Sequence, residues 1–128
     1  MDYNNFNGFY GYSPYPPYEN FDMLLTGDIE KEGEKQLLNL LSKGYDVLKV
    51  AHHGSKNSTS DELLETTGVK IGLISAGENN LYGHPHAETL QRLAERNCRV
   101  WNTADCGAVS VKLEEEGLVM VSDWGRGN

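Results

Sequence analysis

An α/β layered domain is predicted by three features of the 128-residue chain. Short apolar runs of strand length recur at residues 23–25, 47–51, 69–75 and 99–101. Between them lie segments whose leucines repeat at helical spacing. Glycine, asparagine and aspartate punctuate the ends of both kinds of segment. Strands alternating with helices are the signature of helices layered on a sheet, and the length suits one domain.

The elements follow in order. Residues 1–20, MDYNNFNGFYGYSPYPPYEN, hold five of the seven Tyr and three of the four Pro, and no Leu, Ile, Val, Lys or Arg. Such a stretch builds no core, so a disordered or loosely attached arm is expected, with packing of its aromatic rings on a sheet face as the alternative. From Phe21 the pattern becomes regular. Met23-Leu24-Leu25 reads as a buried strand ending in the turn Thr26-Gly27-Asp28. Residues 30–41 read as a helix, with Leu37, Leu38 and Leu41 on one face, Glu30, Glu32 and Glu34 in its first turns, and Gly44 as its terminator. Residues 47–51 form the second strand. Ser58, Thr59, Ser60 and Asp61 offer N-caps to a short helix through Leu63 and Leu64. Residues 69–75 form the third strand. Pro85 suits the first turn of a helix carrying Leu90, Leu93 and Ala94. Residues 99–101 form the fourth strand. Residues 109–113 and 118–121 read as a hairpin around Glu116-Gly117. The expected order is β-α-β-α-β-α-β, then a terminal hairpin.

Acidic side chains outnumber basic ones 19 to 11, a net charge of -8. That excludes a domain gripping nucleic acid through a basic surface, but not one that meets phosphate through divalent cations. Neither a secretory signal nor an apolar run near the ~18 residues of a membrane span is visible. Cys98 and Cys106 lack zinc-ribbon spacing and read as structural thiols.

The chemistry-bearing residues fall after the strands, where open α/β sheets place their sites. Asp28 follows the first strand; it suits an open site or, equally, the cap of the helix beginning near Glu30. His52-His53-Gly54-Ser55 follows the second. Adjacent strand residues point to opposite sides, so one of the two histidines is expected to face a given site. His84-Pro85-His86 closes the third strand's loop, where a helix N-terminus suits phosphate, while His86 reads as a surface residue of the first turn. Imidazole with carboxylate is a donor mixture for zinc, manganese or iron, but three protein ligands are the usual minimum for a catalytic zinc.

Leu24-Leu25-Thr26-Gly27-Asp28, then the segment from Asp46 through His52-His53-Gly54-Ser55, then Tyr82-Gly83-His84-Pro85, and finally Asp105-Cys106-Gly107-Ala108 occur in a specific order and spacing. In these motifs residues 21–120 resemble the second half of the metallo-β-lactamase-fold hydrolase domain of ComEC-type competence proteins, which take up DNA. The resemblance implies an αββα sandwich, of which residues 21–128 are the C-terminal half. It also implies a two-metal phosphodiesterase or nuclease dependent on zinc or manganese and acting on DNA or a related phosphodiester. Asp28 would bridge the metals, His52 or His53 would be a ligand, with His52 favoured, and His84 would lie by the substrate phosphate, making Asp28 and His84 the catalytic pair. The domain would be a soluble part of a bacterial membrane protein. The fold's first motif, His-x-His-x-Asp-His, has no counterpart, since residues 1–27 contain no histidine. The chain therefore reads as a truncated domain, inactive alone, whose partners are its missing N-terminal half or a second copy. The rival expectation is a non-catalytic α/β module that dimerises or binds a partner through the sheet face left uncovered.

Overall fold

The computed structural model describes residues 3–6, 9–12, 21–41, 44–113 and 119–123. Two strands, β1 (Tyr3–Phe6) and β2 (Phe9–Tyr12), pair antiparallel within the arm, Tyr3 opposite Tyr12 and Phe6 opposite Phe9. The arm's composition, without aliphatic alternation, does not announce this hairpin.

The main sheet is built from β3 (Met23–Leu25), β4 (Val47–Lys49), β5 (Ile71–Ile74) and β6 (Arg99–Asn102), all parallel and in that spatial order. The crossovers carry α1 (Lys31–Leu38), α2 (Asp61–Thr67) and α3 (Ala87–Glu95). Beyond β6 come a one-turn helix, α4 (Thr103–Cys106), and the antiparallel pair β7 (Val109–Leu113) and β8 (Val119–Asp123). The alternation expected from the sequence is therefore observed, with a four-stranded parallel sheet at its centre. The expected hairpin turn at Glu116-Gly117 lies outside the described residues.

Two boundaries and one element differ most from expectation. The first helix stops at Leu38 rather than 41, because Asn39 and Leu40 close a tighter turn on the Gln36 and Leu37 carbonyls. Asparagine at that position favours a turn over another helical residue. The second strand stops at Lys49, because Ala51–Gly54 coils into a single tight turn. The segment α4 carries no apolar periodicity. It exists because Asn102 caps it, its side-chain oxygen accepting from the Ala104 N–H at 3.0 Å.

Because sheet neighbours are also sequence neighbours, right-handed crossovers lay all three helices on one face. Packing agrees: Leu24 and Leu48, paired across β3 and β4, join Leu63 and Leu64 of α2 and Leu93 of α3 in one buried cluster, with Leu37 and Leu38 of α1 against it. The third strand offers Gly72 to that face, where an added Cβ would meet Leu93 at 3.7 Å and Cys98 Sγ at 3.4 Å. The opposite face carries the alternate residues in register: Met23, Val47, Ile71 and Arg99, then Leu25, Lys49, Leu73 and Trp101. Burial pushes the Cys98 thiol up to about 11, with Lys70 opposing, which makes it a packing residue rather than a nucleophile. Among the described residues no helix is long and apolar enough to cross a membrane.

Parallel strands bring their C-terminal ends to one edge of the sheet. The Gly27-Asp28 turn, the turn from Ala51 to Gly54 and the long loop from Ser75 to His86 emerge together there.

Candidate functional site

The turn after β4 has a costly backbone. His52 and His53 both lie in the left-handed region, at φ +50° and +55°, and Gly54 follows at +88°. For non-glycine residues that conformation costs about 1–2 kcal/mol each, and such strain persists only where surroundings enforce it. Here the enforcement is visible. The His52 N–H donates to the Gly27 carbonyl at 2.7 Å, tying this turn to the one that carries Asp28. The Ser55 N–H returns to the His52 carbonyl at 3.0 Å, and the His86 N–H donates to the Gly54 carbonyl at 3.0 Å.

This conformation overturns the expectation that only one of the pair can face the site. That expectation assumed a strand, in which neighbours alternate. In the left-handed turn both rings reach the same neighbour: the His52 ring centroid lies 5.5 Å from that of His84, and His53 lies 6.2 Å from it. His86 completes the group, 4.7 Å from His84. All four histidines of the chain therefore gather around one of them, from positions separated by up to 34 residues.

Hydrogen bonds assign roles to the ring nitrogens. His53 Nδ1 lies 2.6 Å from the Ser75 carbonyl, so it carries the proton and leaves the Nε2 lone pair available. Metal-bound imidazoles are commonly oriented this way. His52 Nδ1 is buried without a hydrogen-bond partner, and the Glu30 carboxylate is 3.7 Å away, beyond hydrogen-bond reach. His86 is fully engaged: Nδ1 accepts from the Lys56 N–H at 2.9 Å, and Nε2–H donates to the Tyr82 carbonyl at 3.2 Å. It stitches the His52-His53 turn to the Tyr82 loop and is no idle surface residue. The sequence signal for it was the His-Pro-His spacing.

His84 sits at the centre of the group. Burial, then the neighbouring rings of His86, His52 and His53, hold its pKa below the ordinary 6.5. An imidazole surrounded by imidazoles resists protonation because a second charge would face the first. Since the folded value is depressed, the unfolded chain takes the proton first as pH falls. The stability that His84 contributes is complete above about pH 6.5 and is lost as pH drops below it. Imidazole titration by NMR should place the His84 midpoint below 6.5. A midpoint at or above that value would contradict the crowding.

Asp28 is exposed on the turn after β3 and is not the cap of α1. That position belongs to Glu30, which makes no side-chain capping bond. Asp28 lies within electrostatic range of Lys49, whose pKa burial lowers and Asp28 raises. Among the described residues, no group of three or more His, Cys, Asp or Glu is arranged to hold a metal ion.

The loop from Lys56 to Ser60 backs the site and is held from two helices. The buried carboxylate of Glu34, on α1, accepts from the N–H groups of Thr59 at 2.6 Å and Ser60 at 3.0 Å. Arg92, on α3, donates to the carbonyls of Thr59, Ser58 and Lys56 at 2.9–3.1 Å. Neither residue stands out in the sequence, where each looks like part of a solvated helix face.

No protein-family model matches the chain. It is 46% identical over 92 residues to ComE operon protein 3 of Bacillus subtilis, and 41% identical over 96 residues to Recombination protein 2 of Haemophilus influenzae. It is 31% identical over 101 residues to Competence protein ComA of Neisseria gonorrhoeae. These matches take in 71%, 75% and 75% of the chain but only 12%, 12% and 14% of the relatives, so the chain is homologous to one short segment of much longer proteins.

Proposed function

We propose that this chain is the second half of a metal-dependent phosphodiesterase domain of the metallo-β-lactamase fold, serving DNA processing in a competence-related protein. The observation that carries the reading is the convergence of His52, His53 and His84 on one sheet edge, with backbone strain concentrated at the first two. Strain of this kind is retained where a site needs it. Names among the homologues, Competence protein ComA and ComE operon protein 3, support the setting.

In this reading a divalent zinc or manganese ion is held jointly. Asp28 and His52 or His53 supply part of the donor set, and residues outside this segment supply the rest. The free Nε2 of His53 and the unpartnered Nδ1 of His52 make either a fitting contributor. His84, whose charged form burial and then the neighbouring imidazoles disfavour, stands beside them as a hydrogen-bonding group for a substrate phosphate oxygen. The sheet face opposite the helices, with Met23, Leu25, Ile71, Leu73 and Trp101, is where the second sheet of the sandwich would pack.

The rival reading, a non-catalytic module, draws on that same face, where the half-buried Met23, Leu25, Ile71, Leu73 and Trp101 would meet a partner. Activity separates the two. The chain alone should show no metal-dependent cleavage of bis-p-nitrophenyl phosphate or single-stranded DNA. Joined to the stretch that precedes the matched segment in ComE operon protein 3, it should cleave with manganese or zinc, and Asp28→Asn should abolish the reaction. A joined protein that folds, binds metal and cleaves nothing would favour the module. Cleavage by the rigorously purified chain alone, lost in Asp28→Asn, would overturn the half-site reading.

A further inference from the structure

Two apolar side chains stand out into solvent beside the histidines. Leu81 is 97% exposed and Tyr82 is 77% exposed. Scattered exposed hydrophobics are ordinary on loops. These two differ because the loop that presents them is pinned. Asn80 Oδ1 accepts from the His84 N–H at 2.8 Å, while its Nδ2 donates to the carbonyls of His84 at 2.6 Å and Gly77 at 3.0 Å. The Tyr82 carbonyl is held by His86 Nε2–H. A pinned loop cannot fold its apolar side chains inward, so their exposure is built into the site.

The ring of Tyr82 continues a series. It lies 5.8 Å from the His84 ring and 23° from parallel with it; His84 in turn lies 6.2 Å from His53 and 25° from parallel. Three near-parallel rings thus lead from solvent to the strained turn. A pocket of about 210 Å³ opens between them, lined by His53, Ala76, Gly77, Asn80, Tyr82 and His84.

Charge argues for what such a ring would hold. The chain carries a net charge of -8, and Glu78 and Asp105 line the adjoining cavity. A polyanionic strand gains little from this surface through its phosphates. An aromatic face binds a base instead, and does so without sequence preference, because every base presents a π-face. Paired bases are shielded inside the duplex, so only an unpaired one can reach the ring.

We propose that Tyr82, flanked by Leu81, is a stacking platform for one unpaired nucleobase of a single-stranded nucleic acid, positioning the neighbouring phosphodiester over His84. The proposal rests on the phosphodiesterase reading for its catalytic meaning, but its binding step stands by itself. The test is binding, without cleavage, of a labelled short oligothymidylate to the full chain at fixed salt. Partners in the assay are an abasic strand of equal phosphate count and the matching duplex. Tyr82→Ala should weaken oligothymidylate binding about tenfold. Tyr82→Trp should restore it, and neither variant should change the weaker binding of the abasic strand. Because Tyr82 is exposed, both variants should unfold at the wild-type urea midpoint. Equal affinity of wild type and Tyr82→Ala, equal affinity for thymidylate and abasic strands, tighter binding of the duplex, or no binding at all would each overturn the platform. Loss of binding in Tyr82→Ala, with a joined protein that cleaves nothing, would retain the platform and sink the hydrolase. Asp28-dependent cleavage, with strand affinity and KM unaltered by Tyr82→Ala, would do the reverse.

Discussion

Gly54→Ala is expected to destabilise the fold by about 3–5 kcal/mol, a large part of the 5–15 kcal/mol that holds a typical domain together. Two costs add. The backbone at Gly54 has φ +88°, which an alanine adopts only with strain. A Cβ there would stand 2.5 Å from Pro85 Cβ and 2.9 Å from Pro85 Cα, and neither the ring nor the backbone can swing aside. One loop must therefore retreat from the other, breaking the bond from His86 N–H to the Gly54 carbonyl. Urea denaturation reads the stability. NMR contacts between His84 and the His52-His53 pair read the separation of the rings. An alanine variant within about 1 kcal/mol of wild type would show that the two loops are not in contact at this point.

The second large effect is expected at Glu34. Removing its carboxylate by Glu34→Ala leaves the N–H groups of Thr59 and Ser60 unpaired where little water reaches them, at a cost of about 2–5 kcal/mol. Glu34→Gln keeps one oxygen for one of the two donors and should cost roughly half as much. A purely solvated glutamate would show under 0.5 kcal/mol for both variants. Equilibrium denaturation distinguishes these outcomes. Hydrogen exchange at Thr59 and Ser60 should quicken in the alanine variant even where the rest of the sheet remains protected.

These two residues also mark the boundary of what a linear reading can reach. Glycine after two histidines signals a turn, and Gly54 is visible as such. Its contact with Pro85, 31 residues away, is not. Glu34 sits among Glu30, Glu32 and Lys35, where charge near a helix start has a sufficient local explanation in the helix dipole. Only the packing of α1 against the loop before α2 turns one glutamate of that group inward.

The sequence by itself determined the alternation of strands and helices, the parallel sheet and the sheet edge from which the Asp28, His52-His53 and His84 segments emerge. Local physics sets these: strand-length apolar runs, helical spacing of leucines, capping residues, and the handedness of crossovers. It also picked out Asp28, His52, His53 and His84 by motif. The tertiary structure decided how the histidines meet. A strand would have turned His52 and His53 apart. The left-handed turn, imposed by hydrogen bonds to Gly27 and from His86, turns both toward His84. The same contacts bring His86 into the group and make Asn80 the pin of the Tyr82 loop. Backbone strain and long-range hydrogen bonds depend on what lies across space from a residue, and no window along the chain contains that information.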